Sequence, residues 1–246
     1  MKTSVPAPPG IQVRNLSLHF GQQLIFNSLS FDIDSGSFVA LLGPSGVGKT
    51  SLLRIIAGLA QQSSGTVCGS DGQPLTGRIA WMGQQDLLYP WLTVSENIAL
   101  AARLRGEKVD SAWVDFLLER VGLAGKQALL PAALSGGMRQ RVAIARTLYQ
   151  RQPIVLMDEP FSALDTLTRA KIQALAAELL ADHTVLLITH DPMEACRLSH
   201  RLMTLSGQPA QIDTTLMIAG TPPRAPDDPH LLHSQGKLLQ QLVREA

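Results

Sequence analysis

The sequence predicts an α/β fold with a parallel core sheet, an N-terminal antiparallel β subdomain and an inserted α-helical subdomain. Three observations predict it. Short apolar runs rich in β-branched residues are typical of strands buried on both faces. A glycine-rich turn joins one such run to a helical segment, the order of a parallel α/β unit, and a long later segment reads mostly as helix. With 246 residues, 45% of them hydrophobic, we expect a single domain over 1–246.

The strands are predicted from their apolar patterns. Residues 11–20 and 29–38 broadly alternate between apolar and polar side chains, which indicates two antiparallel strands of the β subdomain. Four apolar runs predict strands of the core: FVALLG from Phe38, RIAWM from Arg78, IVLMD from Ile154 and TVLLITH from Thr184. The segment TSLLRIIAGLA, after the first run, is expected to be a helix.

The helical subdomain is predicted at about 85–150, from the segments SENIALAARLRG, SAWVDFLLERVG and GGMRQRVAIARTLYQ. A helix at DPMEACRLS and a strand at RLMTLS follow His190. A C-terminal helical tail is predicted at about 222–246, with Asp228 as its cap. Its leucines recur at near-helical spacing: Leu231, Leu232, Leu238, Leu239 and Leu242.

Composition excludes several classes of protein. A formal net charge of +1 gives no electrostatic reason to expect nucleic acid as a partner. Two cysteines far apart, Cys68 and Cys196, argue against a disulfide framework, and we expect both to be buried thiols. The opening MKTSVPAPPG has prolines where a secretion signal needs an apolar run. The longest apolar runs fall far short of the roughly 20 residues that cross a bilayer.

A phosphate-binding loop is predicted at GPSGVGKT, which has the spacing glycine, four residues, glycine, lysine, threonine. Its glycines let backbone N–H groups converge on a β-phosphate, Lys49 adds charge toward the β- and γ-phosphates, and Thr50 can ligate Mg²⁺. The alternative is an accidental glycine-rich turn, but the preceding strand and following helix are what the motif requires. The predicted nucleotide-binding residues here are Gly43, Pro44, Ser45, Gly46, Val47, Gly48, Lys49, Thr50 and Ser51.

Three polar residues follow two other predicted core strands. Asp158 is suited to hold the hydration shell of Mg²⁺, and Glu159 to orient or deprotonate an attacking water. The plain alternative is that both carboxylates cap the turn at Pro160. His190 is expected at the same sheet edge, in contact with the γ-phosphate or the water; a structural histidine is the alternative.

A further motif places these residues in a family. GPSGVGKT, LSGGM, IVLMDEP, SALD and the pair TH resemble, in order and context, the ATP-binding subunits of ATP-binding cassette (ABC) transporters. The resemblance covers nearly the whole chain. It implies a phosphate-loop NTPase core of the ABC ATPase type, with ATP and Mg²⁺ as cofactors. It also implies a head-to-tail dimer, in which Ser135, Gly136 and Gly137 of one copy close over the nucleotide of the other.

The same resemblance assigns three more positions. Phe20 corresponds to the aromatic residue that stacks on adenine; the alternative is a phenylalanine packed in the sheet. Gln84 corresponds to the glutamine that reaches Mg²⁺ and the attacking water; neighbouring Gln85 makes the register slightly ambiguous, and the spacing to Pro90 and Trp91 favours Gln84. Asp165 belongs to the loop that communicates between subunits. The chain departs from many relatives at Met138, where they have glutamine, and at Thr50, where they have serine.

Partners and localisation also follow from the resemblance. We expect a separate integral membrane permease, and indirectly an extracytoplasmic solute-binding protein, with the chain peripheral on the cytoplasmic face of the inner membrane. The apolar segment LLYPWLTV is either ordinary core or part of a groove that receives a helix of the permease. The motifs look most like those of subunits that import nitrate, alkanesulfonates, taurine or the pyrimidine precursor of thiamine. The alternatives are a soluble ABC-type ATPase outside transport and a phosphate-loop kinase.

Overall fold

The computed structural model describes residues 7–244. Its N-terminal sheet contains β1 (Ile11–Phe20), β2 (Gln23–Ile33) and β4 (Ser64–Gly69), all antiparallel, in the order β2-β1-β4. The prediction of a second strand at 29–38 was wrong in its bounds. The strand begins at Gln23 and ends at Ile33, because a turn follows in which the Ser37 N–H donates to the Asp34 carbonyl.

The core sheet has the order β5-β6-β7-β3-β8-β9. It comprises β3 (Phe38–Leu42), β5 (Ile79–Met82), β6 (Ile154–Asp158), β7 (Thr184–Ile188), β8 (Arg201–Ser206) and β9 (Gln211–Met217). All neighbours are parallel except β9, which runs antiparallel to β8. Every residue of β3, β6 and β7 is buried, which explains why their sequences are unbroken apolar runs. This mixed sheet confirms the α/β fold class.

The core sheet has a hydrophobic core on each face. On one face, α1 (Lys49–Ile56) and the N-terminal sheet pack against Val39 and Leu41. On the other, α6 (Thr166–Leu179) and helices between β5 and β6 pack against Val155 and Met157. The period of two along each strand therefore sends alternate side chains into different cores.

The segment between β5 and β6 contains α2 (Val94–Ile98), α3 (Leu100–Leu104), α4 (Ser111–Arg120), a 3₁₀ turn (Pro131–Ala133) and α5 (Gly136–Tyr149). The single helix predicted across SENIALAARLRG is instead two short helices that meet at Ala99. Thr93 begins α2 with a capping box, in which the Glu96 carboxylate accepts from the Thr93 N–H at 2.9 Å.

After β7 the chain forms α7 (Pro192–Leu198), the strands β8 and β9, and α8 (Pro229–Arg244). Asp228 accepts a hydrogen bond from the His230 N–H at 2.8 Å at the start of α8. Leu231 and Leu238 are buried, whereas Leu232 and Leu239 are exposed. The predicted tail residues 245–246 and the side chain of Leu242 lie outside the described part of the chain.

Two expectations about side chains and membranes can be compared with this fold. Cys196 is buried, but Cys68 is only partly buried, because β4 is an edge strand of the N-terminal sheet. Within residues 7–244, no helix combines the length and apolarity needed to cross a bilayer.

Candidate nucleotide site

The predicted phosphate loop connects β3 to α1, and two of its glycines admit no other residue. Gly43 has φ +152°, and a Cβ there would lie 2.2 Å from the Leu205 carbonyl oxygen. Gly48 has φ +112°, and its Cβ would lie 2.8 Å from Ile25 Cγ2. Both positions combine a left-handed backbone with a close neighbour, so side chains are excluded on conformational and steric grounds. The loop is therefore held in one shape by the strands beneath it.

The N-terminus of α1 is arranged to bind an anion. Within the described residues, no side chain caps this helix, and its N-cap is Gly48. The first-turn N–H groups of Lys49, Thr50 and Ser51 have no acceptor inside the helix, and the helix dipole favours negative charge there. The Lys49 ammonium lies over the loop, donating to the Gly43 and Pro44 carbonyls at 2.8 Å each. Burial lowers the pKa of Lys49, although the charges of Glu159 and Asp158 oppose this shift.

Thr50 and Asp158 meet at the base of the loop. The Thr50 hydroxyl donates to Asp158 Oδ2 at 2.7 Å. Asp158 is 2% exposed, and burial raises its pKa, an effect that the hydrogen bond from Thr50 partly offsets. A hydroxyl and a carboxylate beside a phosphate loop are the hard oxygen donors that Mg²⁺ prefers, with phosphate and water completing its shell. The residues present therefore fit a magnesium ion bound together with ATP.

Glu159 is contacted by both of the other predicted catalytic side chains. The Gln84 amide donates to Glu159 Oε2 at 3.4 Å, and His190 Nδ1 lies 3.2 Å from Glu159 Oε1. β6 and β7 are neighbours in register, with Asp158 opposite Ile188, so their ends deliver Glu159 and His190 to one edge. The structure thus brings the three side chains together, and it is Gln84 rather than Gln85 whose amide reaches the carboxylate.

The backbone at Glu159 is strained. Its φ is +49°, a left-handed conformation that costs a residue with a Cβ of order 1–3 kcal/mol. Its N–H donates to the Ile188 carbonyl at 2.9 Å, and the Ser162 hydroxyl donates to its carbonyl at 3.0 Å. Such strain persists only where surrounding structure over-determines it, which is typical of functional sites.

A cavity of about 280 Å³ joins these groups. It is lined by the loop residues Ser45, Gly46, Gly48, Lys49, Thr50 and Ser51, together with Gln84, Asp158 and Glu159. Phe20 lies elsewhere, at the hairpin between β1 and β2, and its side chain is 82% exposed. The alternative that Phe20 packs within the sheet is therefore wrong, whereas its contact with adenine stays a prediction.

The remaining predicted residues form a second cluster. The Ser135 hydroxyl caps α5 by accepting from the Met138 N–H at 3.3 Å. A Cβ on Gly137 would lie 3.3 Å from the Ala163 carbonyl oxygen, which places the signature segment against the SALD loop. Gly136 is the first residue of α5. Asp165 caps α6, accepting from the Thr168 N–H at 3.1 Å, and hydrogen bonds to Thr168 lower the Asp165 pKa.

Two arginines of α5, which sequence reasoning missed, hold the segment after Gln84. Arg139 Nε donates to Asp86 Oδ2 at 3.0 Å. Arg146 donates to the Asp86 carbonyl at 2.6 Å and the Leu87 carbonyl at 2.8 Å. The signal in the sequence was a set of three arginines on α5, of which these are two.

Three side chains of the apolar segment beyond Gln84 are exposed, whereas Val94 at its end is buried in the core. Leu87, Tyr89 and Trp91 are respectively 52%, 43% and 70% exposed, and Tyr89 and Trp91 pack edge to face. The buried Asn97 fixes this segment by donating to the Tyr89, Leu92 and Thr93 carbonyls. The ordinary-core alternative for LLYPWLTV is therefore wrong for these three side chains, whereas Leu88 does pack against the core.

Fold and site together define a phosphate-loop nucleotide-binding protein with a carboxylate placed for hydrolysis. The family model described as ABC transporter matches residues 26–162. The chain belongs to the ABC transporter family, as one of its ATP-binding subunits, and its activity is that of an ATPase.

Individual relatives agree with this placement. The chain is 43% identical to an aliphatic sulfonates import ATP-binding protein, SsuB 1, of Pseudomonas syringae pv. syringae, over 91% of this chain and 92% of the relative. It is 42% identical to an uncharacterized ABC transporter ATP-binding protein of Haemophilus influenzae, over 96% of this chain and 99% of the relative. It resembles the structure of a dimeric ATP-binding cassette bound to ADP and Pi with a TM-score of 0.75 and 30% identity, covering 85% of this chain and 99% of that one.

Proposed function

We propose that this chain dimerises on ATP and uses its hydrolysis to power solute import through a separate membrane permease. The observation that carries the proposal is the convergence of Gln84 and His190 on the two oxygens of Glu159, beside the phosphate loop. This arrangement has a carboxylate to accept a proton from water, next to a cradle for the phosphates.

Each residue has a distinct part in this mechanism. The α1 N–H groups and Lys49 bind the phosphates, while Thr50, Asp158 and Gln84 would hold Mg²⁺. When bound, the ion neutralises charge that develops on the phosphates. Glu159 orients the attacking water and takes its proton, and His190 contacts the γ-phosphate or the water. The strained backbone that holds Glu159 in place favours this catalytic role over that of a turn cap.

The proposed dimer makes use of Ser135, Gly136 and Gly137. Their segment lies at a helix N-terminus, where a hydroxyl and N–H groups suit the γ-phosphate of ATP bound by the other copy. The contact between Gly137 and the Ala163 carbonyl puts the SALD loop, with Asp165, beside the same surface. Support comes from the solved relative, which is a dimer in a post-hydrolysis state.

The proposed permease contact is the surface formed by Leu87, Tyr89 and Trp91. Exposed aromatic and aliphatic side chains rimmed by polar groups favour a protein partner over bulk water. The surface follows Gln84 within a few residues and is tied to α5 by Arg146. Movement of a docked permease helix would therefore reach both Gln84 and the signature segment. This position would make the chain peripheral to the membrane, on the cytoplasmic side.

We propose that the imported solutes are aliphatic sulfonates. Taurine belongs to this chemical class. Several relatives between 38% and 43% identical are named as aliphatic sulfonate import ATP-binding proteins. None of the relatives described above is named for nitrate or the thiamine precursor. In this proposal a solute-binding protein delivers the sulfonate to the permease. The kinase alternative leaves LSGGM without a role, and the import names of the relatives favour transport over other ABC-type activities.

The catalytic proposal is tested by Glu159→Gln. The amide cannot take a proton from water, so we expect hydrolysis to fall roughly 10²–10⁴-fold, the usual contribution of a general base. ATP binding should persist, and size-exclusion chromatography with ATP should show a dimer. Glu178→Gln, at an exposed ion pair with Arg120, is the matched control and should leave hydrolysis unchanged. Normal turnover in Glu159→Gln would remove Glu159 from catalysis.

The solute proposal is tested by growth. A strain lacking the gene should fail on an alkanesulfonate as sole sulfur source, but grow on sulfate, and wild-type protein should restore growth where Glu159→Gln does not. Growth of the deletion strain on alkanesulfonates would reject sulfonates as the solute. If that strain failed to grow with nitrate as its nitrogen source, or in medium without thiamine, nitrate or the thiamine precursor would be favoured instead.

A further inference from the structure

The backbone around His190 is held much more firmly than its imidazole. The His190 side chain is 66% exposed, and its contact with Glu159 is 3.2 Å long. An exposed side chain gains little restraint from packing, so its position depends on the residues on either side. Both of those residues, Thr189 and Asp191, are anchored by their side chains.

Thr189 and Asp191 are anchored in different ways. Thr189 is 2% exposed, and its hydroxyl accepts from the Asp191 N–H at 3.0 Å. The same hydroxyl lies beside the carboxyl group of Glu194, and the two residues line one cavity. Asp191 caps α7 by accepting from the Met193 N–H at 2.9 Å, and it lies 3.9 Å from Arg169.

Glu194 is the buried centre of this network. It is 5% exposed and accepts a hydrogen bond from Gln173 Nε2 of α6 at 2.8 Å. The side-chain oxygen of Gln173, Oε1, accepts a hydrogen bond from Arg197 at 2.7 Å, which fixes the orientation of the amide. Burial raises the pKa of Glu194, while the neighbouring Thr189 hydroxyl and the Gln173 amide oppose that shift. A buried carboxyl group with defined partners on two elements joins those elements rigidly.

The network lies directly behind the proposed catalytic pair. Glu159, His190, Arg169 and Glu194 are among the residues that line a shared cavity of about 50 Å³. α6, to which Glu194 is bonded, begins at Asp165 of the SALD loop. One carboxyl group therefore connects the segment carrying His190 with the helix that starts at this loop.

We propose that Glu194 is a positioning residue for hydrolysis, which fixes His190 against Glu159 by contacting Thr189 on one side and bonding Gln173 of α6 on the other. This inference rests on the proposed role of His190. Loss of the network would leave the nucleotide cradle intact but let the imidazole move. Misplacement of about 1 Å can cost as much as 10²-fold in rate.

The test compares ATP hydrolysis in single and double variants of the whole chain. Glu194→Ala should lower kcat roughly tenfold with little change in the KM for ATP, as expected when only the chemical step loses alignment. Glu194→Gln keeps the size and an acceptor oxygen, so it should recover most of the rate. Glu119→Ala, on the exposed side of α4, is the control and should behave as wild type.

The decisive measurement uses a His190→Ala background. If Glu194 acts through His190, adding Glu194→Ala should cost no further turnover, whereas independent roles would multiply the losses. Thr189→Val, nearly isosteric, provides the same test should Glu194→Ala fail to fold. Suppose that His190→Ala is impaired. A normal kcat in Glu194→Ala, or losses that multiply in the double variant, would then overturn the role of Glu194 but not that of His190. Normal turnover in His190→Ala would instead overturn the proposed role of His190, and the inference with it.

Discussion

Two helices of this molecule begin at segments suited to phosphate, and they begin differently. α1 has an N-terminus without a side-chain cap among the described residues, with Lys49 and Asp158 beside it. α5 begins with the Ser135 hydroxyl turned onto its own Met138 N–H, at a long 3.3 Å. The first helix has charge, the proposed metal ligands and the proposed catalytic carboxylate within reach. The second has a cap and two glycines, packed against the SALD loop.

In the proposed dimer, this difference separates nucleotide binding, at α1, from closure over the nucleotide of the other copy, at α5. The α1 end is equipped to hold a nucleotide by itself, whereas the α5 end provides only a hydroxyl and N–H groups to a phosphate that something else must supply. A weakly held cap can be exchanged for a ligand at small cost, because the net value of such a bond is about 1 kcal/mol. The predictions below test whether these two ends act from separate chains.

The largest effect is expected from mixing two damaged chains. Lys49→Ala and Ser135→Arg should each abolish trapping of nucleotide with Mg²⁺ and vanadate in homodimers. In a purified heterodimer, a shared site puts both lesions into one site and leaves the other intact, so one trapped nucleotide per dimer is expected. No trapping in a correctly assembled heterodimer would mean that Lys49 and Ser135 act in a site within one chain. The proposal that the two helix ends act from separate chains would then be wrong.

The next largest effect concerns the α1 end alone. Lys49→Ala removes the positive charge that faces the β- and γ-phosphates, so ATP binding should weaken. ATP turnover should fall roughly 10²–10³-fold, the usual effect of losing one preorganised hydrogen-bond donor. Steady-state ATPase assays and calorimetry measure the two. Lys171→Ala, exposed on α6, is the control for loss of a lysine. Unchanged turnover in Lys49→Ala would refute the phosphate loop as the hydrolytic site.

The smallest effect separates binding from closure in the isolated chain. Phe20→Ala should weaken ADP binding about tenfold, since stacking of one base on an aromatic ring contributes about 1–3 kcal/mol. Ser135→Ala should leave ADP affinity unchanged, because the α5 end is not used until a second copy closes. Calorimetry at concentrations where the chain is monomeric makes the comparison. Equal losses in both variants would contradict the division between the two helices.

The core sheet and the phosphate loop could be predicted because burial on both faces and close backbone approach leave few residues to choose from. FVALL, IVLMD and TVLLI read as strands since each is wholly buried. β4 and β9 were not foreseen, because both are edge strands whose partial exposure weakens the apolar signal. The alternation across 29–38 continued through the turn at Asp34–Ser37, which misplaced β2.

The site was less predictable where it depends on three-dimensional placement. Spacing to Pro90 and Trp91 favoured Gln84 over Gln85 but left the register slightly ambiguous, because the choice depends on which amide reaches Glu159. Glu194 had no sequence signal at all, since a single glutamate in a short helix is ordinarily solvated. Its significance comes from Gln173 and Thr189, which the sequence places 21 and 5 residues away and only the fold brings together.

The left-handed backbone at Glu159 bears on how such a protein evolves. Glycine adopts φ +49° freely, so a chain with glycine there should fold more stably than one with glutamate while losing hydrolysis. Selection for thermal stability alone would therefore favour glycine at this position. Selection for ATP hydrolysis retains the glutamate. At this position beside the phosphate loop, the residue that is best for the stability of the chain differs from the residue that the proposed function requires.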